Sequence, residues 1–172
     1  MSDSRVAFVT GASSGIGAAT ARALGALGWS IAIGARRAER LDAVATDIEA
    51  AGGRAFAHPL DVGEATSLEL FFREAEQSLG PIDVLVNNAG VCHPGLLHEV
   101  EPADLENELK TNLLGPLLLS RLAIQSLLAR GAAGDLVFVS SENAVRPRTF
   151  QAGYTATKTG MEALASVLRM EL

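Results

Sequence analysis

Short apolar runs alternate along the chain with longer stretches of helical periodicity. The runs at 6–10, 30–34, 54–58, 82–87 and 136–140 contain few polar residues, so they predict strands buried on both faces. Between them, helical spacing covers about 15–28, 38–51, 64–79 and 102–130, and a fifth helix is expected to begin near residue 152. This alternation predicts right-handed crossovers and a doubly wound α/β fold with a parallel sheet and helices on both faces.

Length and composition favour one domain over residues 1–172. The 172 residues are 48% hydrophobic, enough for a substantial core, and no repeat or linker interrupts them. A net charge of −6 argues against a nucleic-acid partner. No run is expected to reach the length of a membrane span, and Met1 to Arg5 lack the layout of a signal peptide, so a cytoplasmic location is predicted. Cys92 is the single cysteine and is interpreted as a small loop residue rather than a reactive thiol.

The first predicted strand leads into a glycine-rich turn at the start of a helix. Glycines allow a tight turn and a close approach to a ligand, and the free N–H groups at a helix start suit a pyrophosphate. The alternative is a strand-to-helix turn that binds nothing. The residues assigned to this site are Gly11, Ser13, Ser14, Gly15, Ile16 and Gly17.

The second predicted strand is followed by two arginines. A dinucleotide fold usually has an acidic residue here, which holds the adenosine ribose. Arg36 and Arg37 replace it, and a guanidinium matches a phosphate, so the pair favours NADP over NAD. Arg36 is the preferred phosphate ligand, whereas Arg37 is also compatible with a solvated basic turn.

Tyr154, the only tyrosine, lies four residues before Lys158. On a helix these positions share a face, so the phenol and the ammonium group would point into the same space. A free phenol ionises near pH 10, and a cation within about 4 Å favours the phenolate by a few kcal/mol. The pair therefore suits proton exchange, and an exposed surface pair is the alternative.

Further stretches extend this pattern over the whole chain. Five features follow one another as they do in the short-chain dehydrogenase/reductase family, which the chain therefore resembles. They are Thr10 to Gly17, Asn87 to Gly90, Asn112, Ser141 and Tyr154 to Lys158. Ser141 lies thirteen residues before Tyr154, the separation seen in that family, and the neighbouring Ser140 is predicted to end the fifth strand. The resemblance implies a Rossmann-like sheet with strand order 3-2-1-4-5.

The resemblance also implies roles for individual residues. Tyr154 would exchange the proton of a carbonyl or secondary alcohol substrate, Lys158 would favour the phenolate and bind the nicotinamide ribose, and Ser141 would hold the substrate oxygen. NADP, or less readily NAD, would supply the hydride. Tyr154 and Lys158 would thus contact the cofactor as well, together with Asp61, Val62, Asn88, Ala89 and Gly90. No metal site is predicted.

Asn112 has a physical argument of its own. Pro116 lies four residues later and has no N–H, so the carbonyl of Asn112 loses its helical partner and can hold a water molecule. The resemblance implies that this water belongs to a proton relay toward Lys158. The alternative is that Pro116 only bends a long helix.

The remaining candidates are weaker. His93 follows Gly90 and could line a substrate pocket, while His58 and His98 are interpreted as structural or exposed. Glu142, Arg146 and Arg148 lie between the serine and the tyrosine, where they could contact a polar or anionic substrate or form a solvated loop.

Two expectations concern the whole protein. The last helix ends without a cap, so the chain is expected to be the N-terminal part of a longer enzyme whose later strands are absent, with a shortened relative as the alternative. Helix 102–130 carries more apolar surface than one sheet contact requires, and the resemblance implies that helices 102–130 and 152–172 form a homodimer or homotetramer contact. A nucleotide-binding domain without turnover is the alternative function. A nucleotide-sugar epimerase or dehydratase fits the glycine spacing less well.

Overall fold

The computed structural model describes residues 4–172, so Met1 to Asp3 and the signal-peptide argument based on them lie outside the described residues. Five strands form one parallel sheet in the order β3-β2-β1-β4-β5, which confirms the predicted topology. The strands are β1 Val6–Thr10, β2 Ser30–Ala35, β3 Arg54–Pro59, β4 Val84–Asn87 and β5 Asp135–Phe138.

The helices lie between the strands, close to the predicted positions. They are α1 Gly15–Gly25, α2 Leu41–Ala50, α3 Ala65–Leu79, α4 Pro102–Leu109, α5 Gly115–Ala129 and α6 Ala152–Glu171. Short 3-10 turns cover Ala38–Arg40 and Glu142–Ala144. Most bounds agree with the sequence pattern to within a few residues, as expected where periodicity rather than capping defines an element.

Strand β1 shows why helices cover both faces of the sheet. Its five residues are all buried, and successive side chains point to opposite faces. Val6 and Phe8 pack into one core with residues of α3 and α5, whereas Ala7 and Val9 pack into a second core with residues of α1 and α2. An unbroken apolar run in the sequence is therefore divided between two cores.

The prediction of full burial is wrong for the outer strands. Strand β3 is only partly buried, and in β5 the side chain of Val137 is 42% exposed. Each has only one neighbouring strand within the described residues, which leaves part of its surface to solvent. Strand β5 also ends at Phe138, so the assignment of Ser140 to that strand is wrong. One further backbone bond, from Val139 N–H to the Asn87 carbonyl, follows the strand end.

The predicted helix 102–130 is interrupted by one π turn. Lys110–Leu114 separates α4 from α5, and Gly115 N–H donates to the Lys110 carbonyl five residues earlier. Pro116 cannot donate to the Asn112 carbonyl, so an ordinary α-helical bond is missing at the predicted position. Gly115 lies so close to the Val62 carbonyl that a Cβ would overlap it. The π turn thus brings Asn112 beside the ends of the strands.

The same helical stretch corrects one sequence expectation. Pro102–Ala129 is long and apolar enough, by length and composition alone, to cross a membrane. A core helix passes the same test, and here Leu119 and Ala123 are fully buried in the core shared with α3 and the sheet. Packing against α3 and the sheet accounts for these residues, whereas Leu117 and Leu128 of the same stretch stay exposed.

Candidate active site

The glycine turn after β1 packs against the end of β4. Gly11 has φ +66°, and a Cβ there would lie 2.8 Å from the Ala89 Cα. At Gly17 a Cβ would overlap the Asn88 amide. Asn88 in turn donates through Nδ2 to the Thr10 carbonyl at 2.8 Å, and Thr10 Oγ1 accepts the N–H groups of Asn88 and Ala89 at 3.0 Å each. The two glycines, which have no side chain, allow the close approach, and these hydrogen bonds hold the ends of β1 and β4 together.

A cleft of about 340 Å³ opens where these strand ends meet. This is the switch point of the sheet, since β1 connects outward to β2 while β4 lies on its other side, and such points form ligand crevices in doubly wound folds. Gly15 and Gly17 shape the turn without lining the cleft. The predicted residues that line it are Gly11, Ser13, Ser14, Ile16, Arg36, Arg37, Asp61, Val62, Asn88, Ala89 and Gly90.

Four cleft residues were not predicted: Ala35, Leu60, Val91 and Thr111. Ala35, Leu60 and Val91 adjoin predicted positions, so a wider window around each strand end would have included them. Thr111 belongs to the π turn and reaches the cleft only because that turn approaches the strand ends. Nothing in its local sequence distinguishes it.

The two arginines differ in their contacts. Arg37 donates through Nη2 to Ser13 Oγ at 3.0 Å and to Ser14 Oγ at 2.8 Å, so it bridges the end of β2 to the glycine turn. Arg36 also lines the cleft, with no such bond to the turn. Both side chains are exposed. Both arginines therefore lie at the cleft, and hydrogen bonds fix the position of Arg37 but not that of Arg36.

Tyr154 and Lys158 lie on the same face of α6, as their spacing predicts. Lys158 is 3% exposed, and its Nζ is 5.8 Å from the centre of the Tyr154 ring. The ammonium donates to the Val139 carbonyl at 2.7 Å, which leaves two of its three donor hydrogens for other partners. Burial lowers the pKa of Lys158 because desolvation disfavours the charged form.

Asn112 connects the loop after β4 to α6. Its Oδ1 accepts from Val91 N–H, and its Nδ2 donates to the Val91 carbonyl, both at 2.8 Å. The same Nδ2 donates to Thr157 Oγ1 at 3.2 Å, and Thr157 Oγ1 donates to the Tyr154 carbonyl at 2.7 Å. The side chain is completely buried and its amide is used in these bonds. The main-chain carbonyl is therefore the part of Asn112 that the π turn leaves for a water molecule.

Asn112 and Lys158 also meet beside Gly90. A Cβ on Gly90 would lie 3.4 Å from Asn112 Oδ1 and 3.7 Å from Lys158 Nζ. Tyr154 and Lys158 do not line the cleft themselves, but Gly90 does, so the ammonium group of Lys158 lies next to a residue of its wall. The glycine turn and the tyrosine-lysine pair thus belong to one continuous region.

Ser141 lies between β5 and α6, three residues after the strand ends. Its Oγ accepts from Asn143 N–H at 3.2 Å, a bond that caps the following 3-10 turn, and the residue is half-buried. Its neighbour Ser140 has a buried hydroxyl without a hydrogen-bond partner in the described chain. Capping explains the local conformation of Ser141, and the free lone pairs and hydrogen of its hydroxyl are compatible with a substrate oxygen.

Each of the weaker candidates has a polar side-chain partner. His93 lies 3.3 Å from Asp104 and 3.0 Å from the Asn107 amide, so its ring is held against α4. Glu142 pairs with Arg148 at 2.7 Å and with Arg146 at 3.6 Å, all on exposed side chains. His58 pairs with Glu74, and His98 lies beside Glu99 on the surface. Glu142, Arg146 and Arg148 belong to the segment between Ser141 and Tyr154, whereas the three histidines lie on other segments.

Comparison with known proteins decides the family. The profile of the short chain dehydrogenase family matches residues 5–172. The chain belongs to this family. Among curated members, it is 35% identical over 170 residues to the 2,3-dihydro-2,3-dihydroxybenzoate dehydrogenase of Bacillus subtilis and 34% identical over 168 residues to the 3-oxoacyl-[acyl-carrier-protein] reductase of Rattus norvegicus. These matches confirm an oxidoreductase family.

Solved short-chain dehydrogenase structures have the same fold. A metagenomic short-chain oxidoreductase in complex with NADP has 40% identity and a TM-score of 0.94, and the match covers 100% of this chain and 78% of that one. An alcohol dehydrogenase from Thermococcus sibiricus, complexed with 5-hydroxy-NADP, has 34% identity and a TM-score of 0.91 over 97% of this chain and 71% of its own. A nicotinamide dinucleotide is the cofactor class that these neighbours support.

The chain is shorter than these relatives. The match with the Bacillus dehydrogenase includes 99% of this chain but only 65% of that protein's length. The match with the rat reductase includes 98% of this chain and 69% of the reductase.

Proposed function

We propose that this short-chain dehydrogenase is an NADP-dependent oxidoreductase that interconverts a carbonyl compound and a secondary alcohol. The observation that carries the proposal is the position of Lys158 Nζ beside Gly90, which lines the cleft, with Tyr154 on the same face of α6. One region thus combines a proton-exchanging group with a surface suited to a dinucleotide.

The cleft fits such a cofactor chemically. Gly11 and Gly17 let the turn pack closely against the end of β4, where a Cβ would overlap Asn88 or Ala89. The N–H groups at the start of α1 suit a pyrophosphate. Arg36 and Arg37 offer guanidinium groups at the end of β2, where a 2′-phosphate would distinguish NADP from NAD. Asp61 and Val62 line the same cleft and are assigned to the adenine end.

In this reaction the protein moves and holds protons. When bound, the nicotinamide supplies or accepts the hydride. Tyr154 gives a proton to the substrate oxygen during reduction, and Ser141 orients that oxygen by a hydrogen bond. Lys158 stabilises the phenolate that remains and contacts the ribose with its free donor hydrogens. A proton from solvent, passed through a water on the Asn112 carbonyl and then through Lys158, restores the Tyr154 phenol.

Replacement of Tyr154 by phenylalanine tests this assignment. We expect Tyr154→Phe to lower turnover of NADPH with a panel of ketones and aldehydes by at least about 100-fold, because it removes general acid catalysis. NADPH binding, followed by its fluorescence, should change little. Ser166→Ala on the exposed side of α6 is the control, since Ser166 bonds only to the Glu162 carbonyl one turn before it.

The same experiment distinguishes the second candidate function. A wild-type chain that binds NADPH with a shifted fluorescence spectrum, yet oxidises none of it across the panel, would be a nucleotide-binding domain without turnover. The assignment of Tyr154 would also be wrong if Tyr154→Phe retained wild-type activity.

We further propose that the protein is a cytoplasmic homodimer or homotetramer that contacts its copies through α5 and α6. Apolar side chains remain exposed on these helices, among them Leu117 (41%), Leu128 (67%) and Met170 (79%). A light-scattering mass of one subunit at micromolar concentration would contradict this assembly.

A further inference from the structure

Glu108 is a carboxyl group buried inside the protein. It lies on α4, one helical turn before Asn112, and is 1% exposed. Its Oε1 accepts from His93 N–H at 2.6 Å, whereas its Oε2 is buried without a hydrogen-bond partner among residues 4–172. Burying a polar atom in this way costs free energy, so its position calls for a physical explanation.

The unpartnered oxygen lies against the start of α6. A Cβ on Gly153 would overlap Glu108 Oε2 and would lie 3.4 Å from its Cδ, so only a glycine leaves room for the carboxyl group. Gly153 is the second residue of α6 and immediately precedes Tyr154. The N–H groups of a first helical turn have no partners within the helix and form its positive end, which favours a carboxylate oxygen nearby.

Tyr154 is thereby held from both sides by neighbouring turns of one helical stretch. On one side, Asn112 bonds to Thr157, which donates to the Tyr154 carbonyl. On the other side, Glu108 packs against the residue before Tyr154. We propose that Glu108 is a positioning residue for Tyr154, which acts through Gly153 to fix the first turn of α6, and this proposal rests on the function proposed above.

The same carboxyl group fixes the loop that faces this turn. Its bond to His93 N–H holds the loop after β4, and two residues later Gly95 N–H donates to the Phe150 carbonyl at 2.8 Å. Gly95 also forms an isolated parallel bridge with Gln151, the residue that precedes α6. Glu108 therefore lies between the loop after β4 and the start of α6, which the bonds of Gly95 already join, and it sets the distance between them beside Tyr154.

The single tyrosine allows a direct test without any substrate. Protein labelled with ¹³C at the tyrosine Cζ gives one signal, from Tyr154. We expect Glu108→Gln and Gly153→Ala each to move that signal by more than its line width, with NADPH bound. Glutamine keeps an acceptor for His93 N–H but directs an N–H group toward the N–H groups at the start of α6. Alanine at 153 displaces the carboxyl group.

The control is Glu106→Gln on the same helix. Glu106 is exposed and lies 3.7 Å from Lys110, away from α6, so the signal should not move. In turnover assays, Glu108→Gln and Gly153→Ala should lower kcat about 10- to 100-fold, since small displacements of a reacting group have effects of this size. The KM for NADPH should stay within about twofold, because the cofactor cleft is unchanged.

A double variant separates positioning from general destabilisation. With Glu108→Ala the space beside residue 153 opens, and only the flexible end of Leu105, at 2.9 Å, must shift to accept a Cβ. Gly153→Ala should therefore change the Tyr154 signal strongly in the wild-type background and little in the Glu108→Ala background.

The proposal is overturned if Glu108→Gln and Gly153→Ala leave both the Tyr154 signal and kcat at wild-type values, or if Glu108→Ala and Gly153→Ala change the Tyr154 signal additively. Should Glu108→Ala fail to give folded protein by circular dichroism, Glu108→Gln and Gly153→Ala alone decide. Failure of the proposed function would be distinct, because wild-type protein would then lack turnover while the Tyr154 signal still reported the contact.

Discussion

Replacing Arg37 with alanine removes two hydrogen bonds that connect the end of β2 to the glycine turn, at 3.0 Å to Ser13 and 2.8 Å to Ser14. It also removes one of the two cations at this end of the cleft, and Arg36→Ala removes the other. If these guanidinium groups bind the 2′-phosphate, both substitutions should weaken NADPH binding much more than NADH binding.

The expected size follows from the exposure of both side chains. Two unit charges 4 Å apart interact by about 4 kcal/mol at an effective dielectric constant near 20, and solvent and salt reduce this for exposed groups. A hydrogen bond to a charged partner contributes about 1.5–3 kcal/mol. We therefore expect each substitution to raise the Kd for NADPH roughly 10- to 100-fold, and the Kd for NADH less than about threefold.

Titration of both cofactors, followed by fluorescence, measures these constants. Arg40→Ala is the matched control, because Arg40 is exposed on the same segment but does not line the cleft. The loss of NADPH affinity should shrink at high salt. Equal losses for NADPH and NADH would mean that the arginines only stabilise the turn, and no loss in either variant would refute the preference for NADP.

Three further predictions concern other parts of the site. Gly17→Ala should abolish binding of NADPH and NADH alike in fluorescence titrations, because its Cβ would overlap the Asn88 amide and separate the strand ends; retained binding would contradict the packing described here. Burial lowers the pKa of Lys158, so between this lowered pKa and 10.5 the folded state holds fewer protons than the unfolded state, and the free energy of unfolding should rise with pH across that window. Lys158→Met should remove this rise in urea denaturation, and an unchanged pH dependence would refute it. The pKa of Cys92 is raised, mainly by burial and in addition by the charge of Glu108. At about pH 8, iodoacetamide should therefore alkylate this thiol more slowly in native protein than in urea, and faster in native Glu108→Gln than in native wild type. Equal rates in the two native proteins would contradict the influence of Glu108.

Much of the candidate site could be predicted because its signals are local. A helix places residues four apart on one face, so the neighbourhood of Tyr154 and Lys158 follows from their spacing. A glycine turn between an apolar run and a helix likewise marks where β1 ends. Pro116 indicated a missing helical bond at Asn112, although the form of the interruption, a π turn, depends on how closely Gly115 packs against Val62.

Other features depend on pairs of residues far apart in the chain. Arg37 bonds to Ser13 and Ser14 only because parallel pairing of β1 and β2 places their ends together. Nothing in the local sequence distinguished Glu108 from the acidic Asp104 and Glu106 of the same helix, and its contact with Gly153 spans two elements. Such contacts are set by packing rather than by periodicity.

The sequence by itself determined the alternation of strands and helices, the glycine turn and the tyrosine-lysine spacing, because each is expressed by neighbours along the chain. Only the tertiary structure decided that the edge strands β3 and β5 stay partly exposed, that β5 ends before Ser140, and that a buried carboxyl group adjoins the residue before Tyr154. The physical reason is that burial and close contact depend on which elements pack together, and strand pairing across long separations determines that.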